Sequence, residues 1–587
     1  MVSATVRRRV CEVVGGPGPL GTRPLGGTTA EAARLEDGGP EVAPGDLVVA
    51  EPGVGEWRVV AVLARAGSLK AELVRLMVDS GVEPTYPPEV LEETRALAAD
   101  PGTADLALVD RRELPWVTID NDDSRDLDQA LAIERDGDGY RVWYALADAS
   151  WFVRPGTALH AEALARGSSY YLPGFAVPML PPALSEGVVS LNPEVDRRAL
   201  VFDVRLDGAG EVRGLRLERA RVRSRRKLSY RRVQRAWDDP GGSGFRGESF
   251  ADSLELLRRV GALRIARAER RHAVSFQRRE VEVALDRGER TGFRVLARER
   301  LEVERTNEQI SLLVNVEGAR FLESQLGGDR VQPIFRVHPA PSLEALSRLA
   351  AQVEALIWRH EFDPGRWRWR RDEDEPLAAY LERLPRRTPL ARAIERQALL
   401  TSERSQFGPD PAPHHGVAAP VYARFSSPMR EMVGIFTHKE AAEALGWAPA
   451  APLADDLALR DRVVAAGNRA KELQRRLASE ADRLVLDRLF APELGRPATD
   501  RRVLHGTLLG LRPHRLYVAI DDPPVEVKLE VASWSRALGL EFAVDPLGVE
   551  LAPSSGRPRF VLGDRLALRV TGRDPDSGRW DLVPASG

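Results

Sequence analysis

The sequence is poor in cysteine, in long apolar runs and in excess charge of either sign. Its 587 residues contain one cysteine, Cys11, which excludes an internal disulfide framework and favours a reducing compartment, so we expect a cytoplasmic protein. No apolar run approaches the ~18 residues of a membrane-spanning helix, and no apolar segment follows the three arginines at residues 7–9. We therefore expect neither a membrane protein nor a signal peptide. A net charge of −2 neither favours nor excludes nucleic acid as a partner.

The most distinctive segment that is present is WVTIDNDDSRDLDQALAI, residues 116–133. Five aspartates fall close together in it: Asp120, Asp122, Asp123, Asp126 and Asp128. Apolar runs on both sides, with a glycine-containing turn at residues 136–139, predict a strand, an acidic loop and then a hairpin. Carboxylates this close repel each other unless a cation lies among them, and oxygen ligands of this kind suit Mg²⁺. The alternative is a solvated acidic loop; a calcium-binding EF-hand is excluded because its glycine and closing glutamate are missing.

Motifs along the chain match one known family in order. The segment TIDNDDSRDLDQA resembles the acidic signature of the RNase II/RNase R family, processive 3′-to-5′ exoribonucleases built on an RNB domain. Further matching segments are ALADASWFV (145–153), RGSSYYLPGFAVPMLPPALSEGVVSLNP (166–193), PIFRVHP (333–339), HHGVAAPVYARFSSPMR (414–430) and His438. Because these matches are collinear over about residues 46–440, the chain is identified as a member of that family.

The resemblance assigns roles within the acidic loop. The family pattern runs roughly T-I-D, five residues, then D-x-D-D-A, and Asp120, Asp126 and Asp128 match it in spacing. It implies that Asp120 and Asp126 are catalytic metal-site carboxylates and that Asp128 has the central catalytic role. The fourth family aspartate falls on Gln129, so the predicted Mg²⁺ ligands are these three aspartates and Gln129. A neutral amide oxygen can bind Mg²⁺ but brings no charge, so we expect weaker metal binding.

The resemblance also implies residues that contact RNA. Arg430 matches a catalytic arginine that contacts the scissile phosphate; its alternative role is to cap its own helix. Tyr171 and Tyr230 match tyrosines that stack near the 3′ end, and Glu308 matches an acid that contacts the terminal ribose. Gly434 stands where the family often has an aspartate, which removes a charge from the expected rim of the active site. Four histidines in matching motifs lack metal-site spacing and are predicted to be structural: His338, His414, His415 and His438.

The predicted fold class is α+β, a multidomain chain in which an RNB catalytic domain is flanked by small OB-fold β-barrels. Residues 1–104 are expected to hold a cold-shock-like OB domain and a helical linker, with residues 1 to about 45 weakly patterned and partly mobile. Residues 105–495 are the predicted catalytic domain. Residues 496–587 carry short strand patterns and resemble the C-terminal RNA-binding OB domain of the family, with an insertion at 534–557.

Apolar periodicity predicts helices at 69–81, 89–98, 253–270, 302–324, 343–359, 389–403 and 454–490, and a hairpin at 273–295. Residues 213–235 contain ten Arg, one Lys and one Glu, which we interpret as an arginine-rich helix start that contacts RNA phosphate or as a solvated helix face. Trp367 and Trp369 alternate with arginine. They could stack on bases, but we favour the hypothesis that they fill a helical core.

These observations lead to one main hypothesis and two rivals. The main hypothesis is a Mg²⁺-dependent 3′-to-5′ exoribonuclease that degrades single-stranded RNA to nucleoside 5′-monophosphates, as a monomer in the cytoplasm. The first rival is a catalytically impaired RNA-binding relative, which the departures at Gln129 and Gly434 support. The second is a DNA nuclease, which the family resemblance disfavours.

Overall fold

The structure is a computed structural model that describes residues 8–15, 20–26, 33–36, 39–53, 56–239, 241, 244–274, 280–285, 292–327, 330–385, 387–575 and 577–585. The chain divides into two compact units. The first contains Met1–Arg270, Arg300–His338 and Ser405–Ala478, and the second contains Arg271–Glu299, Pro339–Arg404 and Ser479–Gly587. The mixture of helices and several separate sheets confirms the α+β, multidomain class. The domain limits at 104 and 495 stay predictions.

The strands are β1 (Arg9–Val14), β2 (Gly21–Pro24), β3 (Ala33–Leu35), β4 (Leu47–Pro52), β5 (Glu56–Ala64), β6 (Val109–Asp110), β7 (Val117–Asp120), β8 (Gln129–Asp136), β9 (Gly139–Ala147), β10 (Tyr170–Leu172), β11 (Phe175–Val177), β12 (Asp196–Leu206), β13 (Val212–Arg223), β14 (Arg226–Ser229), β15 (Glu280–Leu285), β16 (Phe293–Arg298), β17 (Phe335–Val337), β18 (Gln406–Gly408), β19 (Leu504–Arg512), β20 (Arg515–Ile520), β21 (Glu526–Glu530), β22 (Phe542–Val544), β23 (Glu550–Pro553), β24 (Phe560–Val561), β25 (Arg565–Arg573) and β26 (Trp580–Pro584).

The helices are α1 (Leu69–Asp79), α2 (Pro88–Ala99), α3 (Ala149–Phe152), α4 (Ala158–Arg166), α5 (Tyr230–Asp238), α6 (Ala251–Arg270), α7 (Glu302–Glu323), α8 (Leu343–His360), α9 (Pro364–Trp367), α10 (Leu377–Arg383), α11 (Pro389–Thr401), α12 (Met432–Ala444), α13 (Leu453–Leu494) and α14 (Val531–Leu538). All seven helices expected from apolar periodicity are present within a few residues of their predicted ends. The hairpin predicted at 273–295 is present as β15 and β16 among the described residues.

The N-terminal part of the first unit is a closed five-stranded barrel in the order β1-β2-β3-β5-β4. Its interior is filled by small and β-branched side chains and by Cys11, which is fully buried. Burial raises the pKa of the Cys11 thiol to about 12, so this cysteine fills space and is not a nucleophile. The expectation that residues 1–45 are weakly structured is wrong for β1, β2 and β3, whose short runs between glycines hid their pattern.

A seven-stranded sheet, in the order β14-β7-β8-β9-β12-β13-β6, forms the centre of the first unit. Side chains of β8 and β9 alternate between two buried faces: Leu131 and Tyr144 enter one core, while Ala132 and Trp143 enter the other. Helices α6 and α7 cover the first face, and α4 and α12 contribute to the second. Because both faces are covered, the strands around the acidic loop are almost continuously apolar, which holds the loop at a rigid sheet end.

The second unit contains a five-stranded sheet in the order β21-β20-β19-β25-β26, and its strands match the short strand patterns expected after residue 496. An ion pair between Glu530 and Arg579 joins the ends of the two edge strands. The expected insertion at 534–557 lies in α14 and the small sheet β22-β23-β24. Trp534 of α14 is fully buried and its indole N–H donates to the Leu582 carbonyl at 2.8 Å, so the insertion is part of the core.

Two composition-based expectations have clear outcomes. Trp367 and Trp369 are buried in the core of the second unit, which supports the favoured packing hypothesis. The expectation that residues 213–235 begin a helix is wrong for most of that stretch, which forms β13 and β14 before α5 begins at Tyr230. Its arginines largely face carboxylates of neighbouring segments: Arg213–Asp207, Arg216–Asp203, Arg219–Asp148, Arg221–Asp110, Arg223–Asp196 and Arg226–Glu248.

Candidate active site

The acidic loop connects two adjacent strands at one end of the central sheet. Asp120 ends β7, Gln129 begins β8, and Asp120 lies beside Ser229 of β14 in a parallel register. The Lys227 ammonium fixes the loop by donating to the carbonyl oxygens of Asp122, at 3.0 Å, and Ser124. The loop is therefore an ordered turn, and the carboxylates at its two ends belong to the same edge of the sheet.

Asp128 is the most buried carboxylate of the loop, with 1% of its surface exposed. One oxygen accepts the backbone N–H of Met429 at 2.9 Å, and the other accepts Nε–H of Arg430 at 2.6 Å. The two partners lie about three hundred residues away in the sequence. The structure therefore places Asp128, which is expected to have the central catalytic role, in direct contact with Arg430, which is expected to contact phosphate.

The charges of this cluster interact strongly. Burial raises the pKa of Asp128, an effect that Arg430 and the Met429 N–H only partly offset. Burial and the charge of Asp128 raise the pKa of Asp126 to about 6, against the attraction of Arg430. Burial alone would lower the pKa of Arg430, but Asp128, Tyr171, Asp126 and Asp120 raise it above its usual range. Negative charge at Asp126 is therefore incompletely balanced, which favours the binding of a cation.

The donor set is suited to a hard divalent ion. Asp120 accepts the Asn121 N–H at 2.8 Å and the Ser124 hydroxyl at 2.9 Å through one oxygen. The amide of Gln129 has no hydrogen-bond partner among the described residues. The oxygens of the three aspartates do not all lie within 4.8 Å of one another, and one oxygen of Asp128 is bonded to Arg430. Carboxylate and amide oxygens fit Mg²⁺ in chemistry.

A different acidic group, which the sequence did not indicate, has its oxygens closer together. Among the described residues, Glu440, Glu443 and Asp456 place one carboxylate oxygen each within 4.8 Å of the others. The ammonium of Lys439 lies among them at 2.7, 2.9 and 2.6 Å. This group is a buried ion-pair network, because a lysine already supplies the positive charge that an ion would bring.

The residues expected to contact RNA have different environments. Tyr171 is 47% exposed, while Tyr230 is half-buried at the start of α5 and its hydroxyl accepts the Asn307 amide at 3.4 Å. Burial and the nearby charge of Asp120 raise the pKa of Tyr230 to about 12. Glu308 lies on α7 and pairs with Arg300 at 2.9 Å. Among the described residues it makes no hydrogen bond or ion pair with the rest of the predicted site.

Beside Arg430 and Tyr171 the first unit contains an open cavity of about 340 Å³. Three residues that line it were not expected to matter from the sequence. Gln474 of α13 accepts the Tyr171 N–H and donates to the Tyr171 carbonyl, both at 2.9 Å. Arg424 and Glu431 form a two-bond ion pair at 3.2 and 3.1 Å. Their positions in the sequence carry no signal of this role, since they depend on how distant segments fold together.

One departure from the family pattern, Gly434, and the histidines of the matching motifs have a structural context. Gly434 is buried in α12, where an added Cβ would lie 3.0 Å from Cα of Pro428, so the position is packed inside the protein and not at an exposed rim. The histidines support the prediction that they are structural: Nε2 of His438 bonds to the Phe425 carbonyl at 2.8 Å. Burial lowers the pKa of His414 to about 3 and of His438 to about 4, so both are neutral.

Within the described part of the chain, no helix is long and apolar enough to span a lipid bilayer. The RNB domain family matches residues 108–445. Ribonuclease R of Escherichia coli (strain K12) is 29% identical over 511 residues, which cover 85% of this chain and 60% of the relative. Ribonuclease R of Thermotoga maritima is 29% identical over 393 residues, covering 65% of this chain and 53% of that protein. The chain thus spans about 60% of the length of the first of these curated relatives.

Solved structures show the same fold. The RNase R of Mycoplasma genitalium, solved in complex with ribose-methylated single-stranded RNA, gives a TM-score of 0.79 at 18% identity and covers 99% of this chain and 90% of that one. Yeast Ssd1, described as a pseudonuclease, gives a TM-score of 0.59 at 14% identity and covers 93% and 68%. The matched family covers more than half of the sequence and contains the Asp128–Arg430 pair, and the chain therefore belongs to the RNB-domain family.

Proposed function

We propose that the protein is a Mg²⁺-dependent 3′-to-5′ exoribonuclease that degrades single-stranded RNA to nucleoside 5′-monophosphates. One observation carries the proposal: Arg430 bonds Asp128 through Nε, while its two terminal amino groups have no hydrogen-bond partner among the described residues. Arg430 also lines the open cavity. A guanidinium that is held by a buried carboxylate and lines an open cavity suits a phosphoryl oxygen.

The other residues of the site support the same reaction. Asp128 orients Arg430 and keeps the positive charge of the guanidinium next to the start of β8. Asp120, Asp126 and Gln129 offer the oxygens that would hold Mg²⁺, and Asp128 could join them if it exchanged its bond to Arg430. When bound, Mg²⁺ would supply the positive charge that activates water and stabilises the leaving oxygen.

The substrate follows from the same surroundings. Tyr171, exposed in the cavity and fixed by Gln474, offers a ring on which any base can stack, at about 1–3 kcal/mol per base. Tyr230 lies beside Asp120 and is proposed to contact the terminal nucleotides. Glu308 is proposed to bind the terminal ribose hydroxyl and thereby to favour RNA over DNA. A cytoplasmic monomer remains our prediction, with the single cysteine as support for the compartment.

The experiment uses a 5′-labelled single-stranded RNA and a DNA strand of the same sequence, incubated with the full chain and Mg²⁺. We expect stepwise shortening of the RNA only, release of nucleoside 5′-monophosphates and no reaction in EDTA. Asp128→Asn should abolish shortening. Asp123→Asn, which alters an exposed carboxylate of the same loop, is the matched control and should retain activity. RNA that stays intact with the wild-type chain would refute the proposal.

The second candidate is a catalytically impaired RNA-binding protein, which the missing charge at Gln129 favours. If the enzyme is active, Gln129→Asp should lower the Mg²⁺ concentration that gives half-maximal activity, because one more carboxylate strengthens a hard-cation site. An unchanged Mg²⁺ requirement would contradict that explanation of Gln129. RNA binding without shortening at any Mg²⁺ concentration would support the impaired relative.

A further inference from the structure

The cavity beside Arg430 is unusually rich in positive charge. It is formed by residues 167–171, by residues 424–433 and by the face of α13 that carries residues 467–475. Four cationic side chains line it, and one carboxylate, Glu431, lies among its lining residues. The four are Arg424, Arg430, Lys471 and Arg475. Since buried charges are usually paired, each of these cations should have a counter-charge.

Three of the four cations do have one. Arg430 pairs with Asp128 and Arg424 pairs with Glu431. Arg475 pairs with Glu472 one turn away on the exposed side of α13. Lys471 differs, because among the residues that the structure describes its ammonium donates only to the Ser405 carbonyl at 2.6 Å and the Ser405 hydroxyl at 3.2 Å.

A second cation, the guanidinium of Arg336, shares a hydrogen-bond acceptor with Lys471. Arg336 of β17 donates to the same Ser405 hydroxyl through Nε at 3.2 Å and Nη2 at 3.1 Å. Within the described ranges neither Arg336 nor Lys471 has a carboxylate oxygen within 4.0 Å. Two cations therefore converge on one neutral oxygen, and one of them, Lys471, lines the cavity.

The pKa values of Lys471 and Arg336 agree with this close placement of two positive charges. Burial and the charge of Arg336 lower the pKa of Lys471 to about 8, while Glu431 acts in the opposite direction. Burial lowers the pKa of Arg336, with a further contribution from Arg424. An anion bound at the Lys471 ammonium would remove this repulsion. Lysine is also a common phosphate ligand.

We propose that the cavity contains a phosphate-binding subsite centred on Lys471, which binds the terminal phosphate of an RNA strand that ends in a 3′-phosphate. The position of the strand rests on the proposed function, whereas the affinity for phosphate does not. The volume suits a nucleotide-sized ligand. Arg430 would bind the last linkage of the strand, and Lys471 would bind the phosphate beyond it.

The first test measures binding without cleavage, in EDTA, for two fluorescent oligonucleotides that differ only in a 3′-hydroxyl or a 3′-phosphate end. We expect wild-type protein to bind the 3′-phosphate strand about tenfold more tightly, as one charge-assisted contact would give. Lys471→Gln should remove the difference, and Lys471→Arg should retain part of it. Arg205→Gln removes an exposed arginine of β12 and is the charge control that should keep the full preference.

The second test uses inorganic phosphate as the probe, in a thermal melt compared with chloride at equal ionic strength. A phosphate-dependent rise in Tm for wild type and Arg205→Gln, absent in Lys471→Gln, supports the subsite even if the protein cleaves no RNA. Loss of the 3′-phosphate preference in millimolar phosphate would show that free phosphate competes for it. Equal affinity for both strand ends, or a preference that survives in Lys471→Gln, would overturn the proposal.

Discussion

The ion pair between Asp128 and Arg430 should stabilise the folded site, because the charge of each side chain balances the charge of the other. Replacing Arg430 by Met leaves the Asp128 carboxylate buried with one backbone N–H as its remaining donor. Removal of one partner from a buried pair costs about 3–5 kcal/mol. Because 31% of the Arg430 side chain is exposed, we expect about 2–3 kcal/mol. Asp128→Asn should cost less, about 1–2 kcal/mol, because its amide oxygen can still accept the Met429 N–H.

A double-mutant cycle isolates this interaction. Adding Asp128→Asn to Arg430→Met should cost little more than Arg430→Met alone, which gives a coupling of about 1–2 kcal/mol. The measurement is hydrogen exchange of the amides in β8, which follows the loop, so it reports the opening of this sheet and not of the whole chain. The control is Arg213→Met, an exposed arginine of the same unit, which should leave exchange in β8 unchanged.

The pH dependence provides an internal check. In the folded Arg430→Met variant the pKa of Asp128 is raised by burial without the opposing charge of Arg430. A carboxyl group whose pKa is higher in the folded state than in the unfolded state stabilises the folded state while it is protonated. This stabilisation is lost as the pH rises. The variant should therefore be closer to wild type at pH 5 than at pH 8. A coupling below about 0.3 kcal/mol, or a deficit that is the same at both pH values, would refute this description of the pair.

Three further predictions concern other parts of the first unit. Gln474→Ala removes both hydrogen bonds to Tyr171 and should raise KM for RNA more than it lowers kcat; steady-state kinetics test this, and a pure kcat defect would contradict it. Gly434→Asp should lower the free energy of unfolding by more than about 2 kcal/mol, because Pro428 blocks the new side chain and its charge would be buried; urea unfolding should show a smaller loss for Gly434→Ala. His438 is neutral when folded, with a pKa of about 4 against about 6.5 unfolded, so its contribution is complete above pH 6.5 and falls by about 2 kcal/mol at pH 5. Urea unfolding of His438→Gln should show a weaker loss on acidification than wild type, and equal losses would count against this assignment.

Local patterns in the sequence were sufficient to predict seven of the helices and the strands next to the acidic loop. Apolar spacing predicted α7 as a helix over 302–324, and the structure has Glu302–Glu323, because one face of that helix packs against the central sheet. The acidic loop was predicted between strands for the same kind of reason. Its flanks form apolar runs, and both faces of the sheet are covered.

The prediction of a helix start at residues 213–235 was wrong because it was based on the density of positive charge. The segment from Arg219 to Arg223 alternates arginine with buried Ala220 and Val222, a period of two that is typical of a strand. The number of arginines was given more weight than their spacing. Their carboxylate partners lie on other segments, such as Asp196 on β12, and no local pattern in the sequence indicates these partners.

Long-range partners set the limit of prediction at the site. The resemblance placed Asp128 and Arg430 in one active site, but the direct bond between them depends on tertiary structure. The same holds for Gln474, which fixes Tyr171 from α13, and for Lys471, which has no carboxylate partner in the described part of the folded chain.

The separation of Asp128 from Arg430 along the chain has a consequence during synthesis. Their bond spans 302 residues, so a ribosome that adds about 5–20 residues per second needs roughly 15–60 s between the two. Throughout that interval the aspartate loop exists without the guanidinium that completes it. The bond between Asp128 and Arg430 can therefore form only after residue 430 has been translated, so the two halves of the site come together late in synthesis.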